Sequence, residues 1–377
     1  IDQGVHRPLG ENAGYGERGM ETGPGGNGDC KQGRSETSGI SLETLFHKES
    51  VIIRIRSGLP TRKRNNTMTH KSIADVKWSL EKANYICSKT VATVVFLAQA
   101  TQKPILVEGP AGVGKTELAK AVAQSLGRDL IRLQCYEGLD EAKALYEWED
   151  AKQLLYTQMM KDRIDDVISG STNLTEAVDR IADQEDAFFS ERFIQARPLL
   201  QAISSPEPVV LLIDEVDKSD PEFEAFLLEI LSDFQVTIPE LGTRKAVKIP
   251  FVFLTSNNYR DMSDALKRRC IHLYIDYPDV DLERQIVQLK IPGIKDRLAE
   301  QLINTIHEIR NLDLKKKPCT SETLDWAQAL IALQVNQLTP EIITDTLNMI
   351  CKYRSDADLV KDNMETISKN VGLECSI

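Results

Sequence analysis

The chain has 377 residues, with 46 Lys and Arg against 57 Asp and Glu, a formal net charge of −11 and a pI near 5.2. That length supports a sizeable core and two domains, and the acidic balance argues against a surface built to hold nucleic acid. The seven cysteines, at 30, 87, 135, 270, 319, 351 and 375, form no Cys-x-x-Cys pair, and the longest apolar run near the start, 91–98, is less than half a membrane span, so a cytoplasmic protein with reduced thiols, no membrane helix and no signal peptide is expected.

Residues 1–67 hold 12 of the 21 glycines and nearly balanced charges, leaving −13 on the remainder. Such a stretch buries too little apolar surface to offset its ordering entropy. It is expected to be a disordered or artefactual extension, with a stray strand conceivable at 51–56 and translation beginning near Met68. The first well-patterned helix is expected at 72–81. From Val91 onward strand and helix patterns alternate, the signature of a parallel sheet covered on both faces.

Residues 105–116 carry the strongest local signal. An apolar run from Ile105 to Val107 leads through Glu108 into Gly109, Pro110, Ala111, Gly112, Val113, Gly114, Lys115 and Thr116, and Leu118, Val122 and Leu126 then fall on one helical stripe. The spacing is G-x-x-x-x-G-K-[ST] between strand and helix, which predicts a cradle for nucleotide phosphates. Backbone N–H groups surround the phosphates, Lys115 reaches their outer oxygens, and the Thr116 hydroxyl holds Mg²⁺. A strand is expected at 130–133, and 136–200 reads as an irregular, mostly helical insertion.

The apolar run from Val209 to Ile213 ends in Asp214 and Glu215. Ligands of parallel sheets bind at the carboxyl ends of such strands, so Asp214 is expected to hold the metal through water and Glu215 to act as general base. Acids there could instead cap the next helix, but Asp220 and Pro221 already supply its start. Phe223, Phe226, Leu227, Ile230, Leu231 and Phe234 form a packing stripe, and 235–249 reads as a hairpin. The buried strand 251–256 ends at Asn257, which can hold water or the γ-phosphate, and Asn258 serves as the turn residue. Arg268 and Arg269 end the next short helix, where bases suit the dipole and where an arginine finger could be offered to a neighbouring subunit. From Val280 the pattern is helical throughout, a lid with Leu298, Leu302, Ile306 and Ile309 on one stripe and helix starts at Ser321 and at Thr339 with Pro340.

Taken in this order, the phosphate loop, Asp214 with Glu215, Asn257, Arg269 and a helical lid resemble an AAA+ ATPase over about residues 72–377. The resemblance implies an α/β fold, a five-stranded parallel P-loop sheet with flanking helices followed by a small all-α lid, with domains at 68–278 and 279–377. Residues 235–243, Arg268 with Arg269 and Cys270, and 321–326 are most similar to the MoxR branch, in particular accessory ATPases of carbon monoxide dehydrogenase and related molybdenum hydroxylases. The likeness implies ATP and Mg²⁺ as cofactors, a homo-oligomeric ring, usually a hexamer, with Arg269 acting in trans, and a partner with a von Willebrand factor A domain. It also implies a client metalloenzyme that receives its cofactor. One departure is that no arginine lies between Arg310 and Arg354 to sense the γ-phosphate from the lid. Lys315, Lys316 and Lys317 could replace it or form a solvated loop.

Competing chemistries have little support. The histidines at 6, 47, 70, 272 and 307 lack metal-ligand spacing, and no G-x-S-x-G or Asn-Lys-x-Asp occurs. Trp78, Trp148 and Trp326 are expected on helices as packing anchors. A nucleic-acid motor or clamp-loader-like ATPase is the alternative, suggested by Arg244, Lys245 and Lys248 near the hairpin.

Overall fold

A computed structural model of the chain describes residues 69–159, 173, 193–238 and 241–373. The expectations for 1–67, and for the hairpin tip at 239–240, lie outside the described residues. Helices α1 (Ile73–Lys82) and α2 (Lys89–Thr101) precede strand β1 (Ile105–Glu108), helix α3 (Lys115–Leu126) and strand β2 (Leu130–Gln134). Short pieces follow: α4 (Glu141–Leu145), β3 (Tyr146–Trp148), α5 (Asp150–Met159), β4 (Ile194–Ala196) and α6 (Pro198–Ile203). Then come β5 (Val210–Asp214), α7 (Pro221–Asp233), β6 (Gln235–Ile238), β7 (Gly242–Lys245), β8 (Phe251–Ser256), α8 (Asp264–Arg269) and β9 (Ile271–Tyr274). The chain continues in helices α9 (Val280–Lys290), α10 (Asp296–Asn311), α11 (Thr320–Ala332), α12 (Pro340–Ile350), α13 (Arg354–Asp362) and α14 (Met364–Val371).

The principal sheet is parallel with order β2-β5-β8-β1-β9. Strands β1, β5 and β8 are buried along their whole length, because each is a run of four to six mostly apolar residues covered on both faces. Alternate residues serve alternate cores. Leu106, Leu211, Ile213, Val252 and Leu254 pack with α6 and the Phe223 face of α7. Ile105, Val107, Val210, Leu212 and Phe253 pack with α1, α2 and α3. This topology sets the carboxyl ends of β1, β5 and β8 side by side, so residues far apart in the chain meet at one edge.

Local chemistry departs from expectation in several places. The insertion holds a two-stranded antiparallel pair, β3 with β4, and Trp148 lies on β3 rather than on a helix. Trp78 is 55% exposed with the Lys82 ammonium 3.6 Å above its ring, so it is a surface residue held by a cation–π contact. Trp326 alone among the three is fully buried, and its indole N–H donates to Thr346 Oγ1 at 2.9 Å. Asp220 precedes α7 without capping it by its side chain; its carboxylate accepts from Gly138 N at 3.3 Å instead. The expected start at Ser321 is displaced to Cys319, where the Glu322 carboxylate accepts the Cys319 N–H at 2.9 Å and closes a capping box.

The C-terminal helices enclose their own core, with Leu298, Leu302, Ile306, Ile309, Trp326 and Leu347 at its centre. Beside it lies a buried charge cluster. Glu283 on α9, fully buried, accepts from Arg310 Nη1 at 2.6 Å and Nη2 at 2.8 Å, from His307 Nε2 at 2.9 Å and from Thr323 Oγ1 at 2.9 Å. These contacts tie α9, α10 and α11 together, and the Arg310 guanidinium lies 5.0 Å from the Tyr277 ring. Burial alone pushes the Glu283 carboxyl up, but the donors from His307, Arg310 and Thr323 together outweigh it and leave it below its ordinary 4.5. A carboxyl depressed in the folded state contributes stability above its unfolded value, and that contribution is lost as pH falls through the folded value. The thermal stability of the parent is therefore expected to fall as pH drops below 4.5. Glu283→Ala strands a buried guanidinium, is expected to cost about 3–5 kcal/mol at neutral pH, and should flatten that pH dependence. An unchanged profile in the variant would remove the cluster from this role.

Candidate functional site

The loop 109–114 joins buried β1 to α3, and two kinds of constraint hold its glycines. Gly112 and Gly114 have φ of +77° and +98°, the left-handed region that side chains disfavour. Gly109 and Gly112 also sit against neighbours: a Cβ at Gly109 would run into the Ile275 main-chain oxygen, and one at Gly112 into Cys319. The helix α3 begins at Gly114 with no side-chain cap, which leaves its first N–H groups to an outside acceptor.

Lys115, Asp214, Glu215 and Asn257 converge on this loop. Lys115 Nζ donates at 2.7 Å each to Gly109 O, Pro110 O and Asn257 Oδ1. Burial lowers the Lys115 pKa, while the carboxylates of Asp217, Asp214 and Glu215 pull it back up. Asp214 is 2% exposed. It accepts from Thr116 Oγ1 at 3.0 Å, from Thr255 Oγ1 at 2.5 Å, and from Arg132 Nε and Nη2 at 3.0 and 2.5 Å. Glu215 sits in the left-handed region with φ of +57°. Its N–H donates to Thr255 Oγ1 at 2.9 Å, and its carboxylate accepts from Gln134 Nε2 at 2.9 Å, Lys218 Nζ at 2.7 Å and Asn257 Nδ2 at 3.4 Å. Asn258 takes the turn, with φ of +60°.

Four residues of this network carried no flag in the sequence reading. Asp217, 1% exposed, accepts the main-chain N–H groups of Asn257 and Tyr259 at 2.9 Å each and so fixes the backbone from which the Asn257 side chain reaches Lys115 and Glu215. Thr255 links Asp214 to the Glu215 main chain. Arg132 and Gln134 reach both acids from β2. Their signal was faint: an acid two places after Glu215, a hydroxyl ending an apolar strand, and polar residues alternating on β2.

Arg269 stands apart. It is exposed, with Nε donating to Ser232 Oγ at 2.8 Å and Nη1 to Ala265 O at 3.3 Å, and none of these contacts involves the loop. Lys316 donates to Glu322 Oε1 at 2.9 Å and the Lys315 ammonium lies 5.8 Å from the Tyr353 ring. The lid reaches the loop instead through Ser321, whose N–H and Oγ both donate to Gly112 O, at 3.3 and 3.2 Å. Between them opens a cleft of about 290 Å³ lined by Tyr85, Val113, Ile275, Tyr277, Leu282 and Leu324 among others. A cleft with mostly apolar walls that reaches the uncapped start of α3 suits a flat aromatic base with a phosphate tail.

Residues 105–277 match the family described as ATPase family associated with various cellular activities (AAA). This stretch is an AAA ATPase domain. Its span runs from β1, through the phosphate loop and both acids, to Asn257, Arg269 and Tyr277. The gas vesicle ATPase GvpN1 of Halobacterium salinarum is 24% identical over 274 residues, covering 70% of this chain and 73% of that protein. GvpN of Haloferax mediterranei is 24% identical over 281 residues, covering 71% and 74%. The Thermotoga maritima RuvB Holliday junction branch migration motor aligns over 78% of this chain and 82% of its own at 16% identity and a TM-score of 0.41. Among the described residues no helix is long and apolar enough to cross a membrane.

The AAA domain is an ATP hydrolase whose lid bears directly on its phosphate loop. Gly112→Ala adds backbone strain and drives a methyl group into Cys319, so Ser321 cannot stay on Gly112 O. ADP affinity by calorimetry is expected to fall about tenfold or more, with the circular dichroism of the fold retained. Adding Cys319→Gly removes the obstacle but not the strain and should recover part of the loss. A variant that binds ADP like the parent would show that the lid contact is dispensable.

Proposed function

We propose that the chain works as a ring ATPase of the MoxR kind, coupling ATP hydrolysis to the remodelling of a client protein. The convergence of Lys115, Thr116, Asp214, Glu215 and Asn257 at the ends of three adjacent strands carries this reading. Thr116 and Asp214 supply hard oxygen donors side by side, the donor set that suits Mg²⁺, and would hold it there. When bound, the metal neutralises charge on the phosphates and orients them. Lys115, now held by loop carbonyls, would turn to the phosphate oxygens. Glu215 takes the proton of the attacking water, and Asn257, fixed by Asp217, places that water. Arg269, exposed on its own protomer, would serve the pocket of a neighbour in a homo-oligomeric ring, a hexamer by family habit.

The client is read from two directions. The motif resemblance favours a molybdenum hydroxylase such as carbon monoxide dehydrogenase, with a von Willebrand factor A protein as adaptor. Two of the relatives are gas vesicle ATPases, which favours a gas vesicle client instead. The test is co-expression of the chain or its Glu215→Gln variant with an apo molybdenum hydroxylase, reading the metal and cofactor bound per client. Loading that needs the active ATPase supports the first reading. Loading indifferent to it, with gas vesicle assembly that does depend on turnover, supports the second. Hydrolysis stimulated by DNA and falling steeply with salt would favour a nucleic-acid motor over both.

A further inference from the structure

Arg132 does something the hydrolysis scheme does not use. It lies on β2, the edge strand of the sheet, with its side chain 48% exposed, yet its guanidinium sits on the nearly buried carboxylate of Asp214. Nε and Nη2 both donate to Oδ2, at 3.0 and 2.5 Å, while Oδ1 accepts from Thr255 and Thr116. Nη2 also donates to Gln134 Oε1, and the amide of Gln134 continues to Glu215. A carboxylate has about four acceptor positions, so those of Asp214 are taken. A buried anion also needs a positive partner. Among the described residues the cation in contact with Asp214 is Arg132, because Lys115 is bound to loop carbonyls and Asn257.

We propose that Arg132 is the internal counter-ion of Asp214 in the nucleotide-free protein, standing in for magnesium and leaving Oδ2 when the metal binds. A guanidinium and a divalent cation on one buried carboxylate repel each other where water screens weakly. Of the two, the arginine can leave at little cost. It is long, half in water already, and on a strand with no further strand beyond it. The metal site is thus gated by a charge exchange, and the same exchange withdraws the guanidinium that orients Gln134 toward Glu215.

This rests on the reading of Thr116 and Asp214 as the metal-holding pair, and the experiment separates the two. ADP binding is measured by calorimetry across a magnesium titration and in EDTA, alongside thermal midpoints, for the parent, Arg132→Gln and Arg132→Lys. In Arg132→Gln the magnesium needed for tight ADP binding should fall about tenfold, the worth of one charge-assisted hydrogen bond, with ADP affinity in EDTA essentially unchanged. Its midpoint without nucleotide should drop by about two degrees, and the gap should close in saturating magnesium and ADP, as linkage requires. Arg132→Lys, which keeps the charge and the fold but not the fork, should fall between. A magnesium requirement that is unchanged or higher in Arg132→Gln overturns the exchange while leaving the metal pair standing. A parent whose ADP affinity ignores magnesium overturns both. Should Arg132→Gln not fold, a lysine variant identical to the parent in its magnesium requirement would overturn the exchange by itself.

Discussion

Glu215→Gln is expected to bind ATP with affinity close to that of the parent and to lose turnover by about 10²–10⁴-fold, the worth of a positioned general base. The side chain is held from three sides, by Gln134, Lys218 and Asn257, and a glutamine fills the same space. It cannot accept a proton from water at neutral pH. Nothing in the substitution touches the phosphate loop, whose lysine is anchored to Gly109, Pro110 and Asn257. Binding and turnover should therefore separate cleanly, read by calorimetry with ATP and by phosphate release. A variant that keeps more than about a tenth of parental turnover would place the base elsewhere, with Asp217 the next acid in the cluster.

The second large effect concerns Arg269. Its guanidinium is exposed and bonded to Ser232 and Ala265 rather than to any residue of the loop, so the role proposed for it in phosphate cleavage calls on a second protomer. Arg269→Ala alone should lose about 10³-fold or more in turnover with ATP binding intact. Mixing it with Glu215→Gln should restore part of the activity, because some seams then pair the intact pocket of one variant with the intact arginine of the other. The recovered fraction should follow the mixing ratio. Full activity from a dilute monomeric sample, or no recovery in mixed rings with Arg268→Ala behaving as Arg269→Ala was expected to, would move or remove the finger.

Arg132 bears on both experiments. If the counter-ion leaves only when magnesium arrives, the acids proposed to act in triphosphate cleavage are held by the edge strand until a metal-bound nucleotide is in place. Without a metal-bound nucleotide the Asp214 carboxylate then stays neutralised by Arg132. The C-terminal helices add a second condition through Ser321 and Gly112, which both line the cleft beside the loop.

The residues 105–116, 209–215 and 251–257 announced a phosphate loop and two acid- or amide-tipped strands, because each is a local pattern: a short apolar run, then a residue type whose spacing the backbone itself imposes. The helical lid was legible for the same reason, from stripes such as Leu298, Leu302, Ile306 and Ile309. What sequence could not decide was which polar groups meet across the sheet. Arg132 and Asp214 are 82 positions apart, and Gln134 stands beside Asp214 only through the parallel register of β2 on β5. Gly112 is held by its closeness to Cys319, the residue that caps α11 and lies 207 positions further on, as much as by its own torsion. The diversion of Asp220 to Gly138 likewise depends on what the fold brings alongside. Local periodicity sets the elements and the atoms that can react, whereas long-range packing decides which charges neutralise one another, since electrostatic partners are chosen by distance in space and not along the chain.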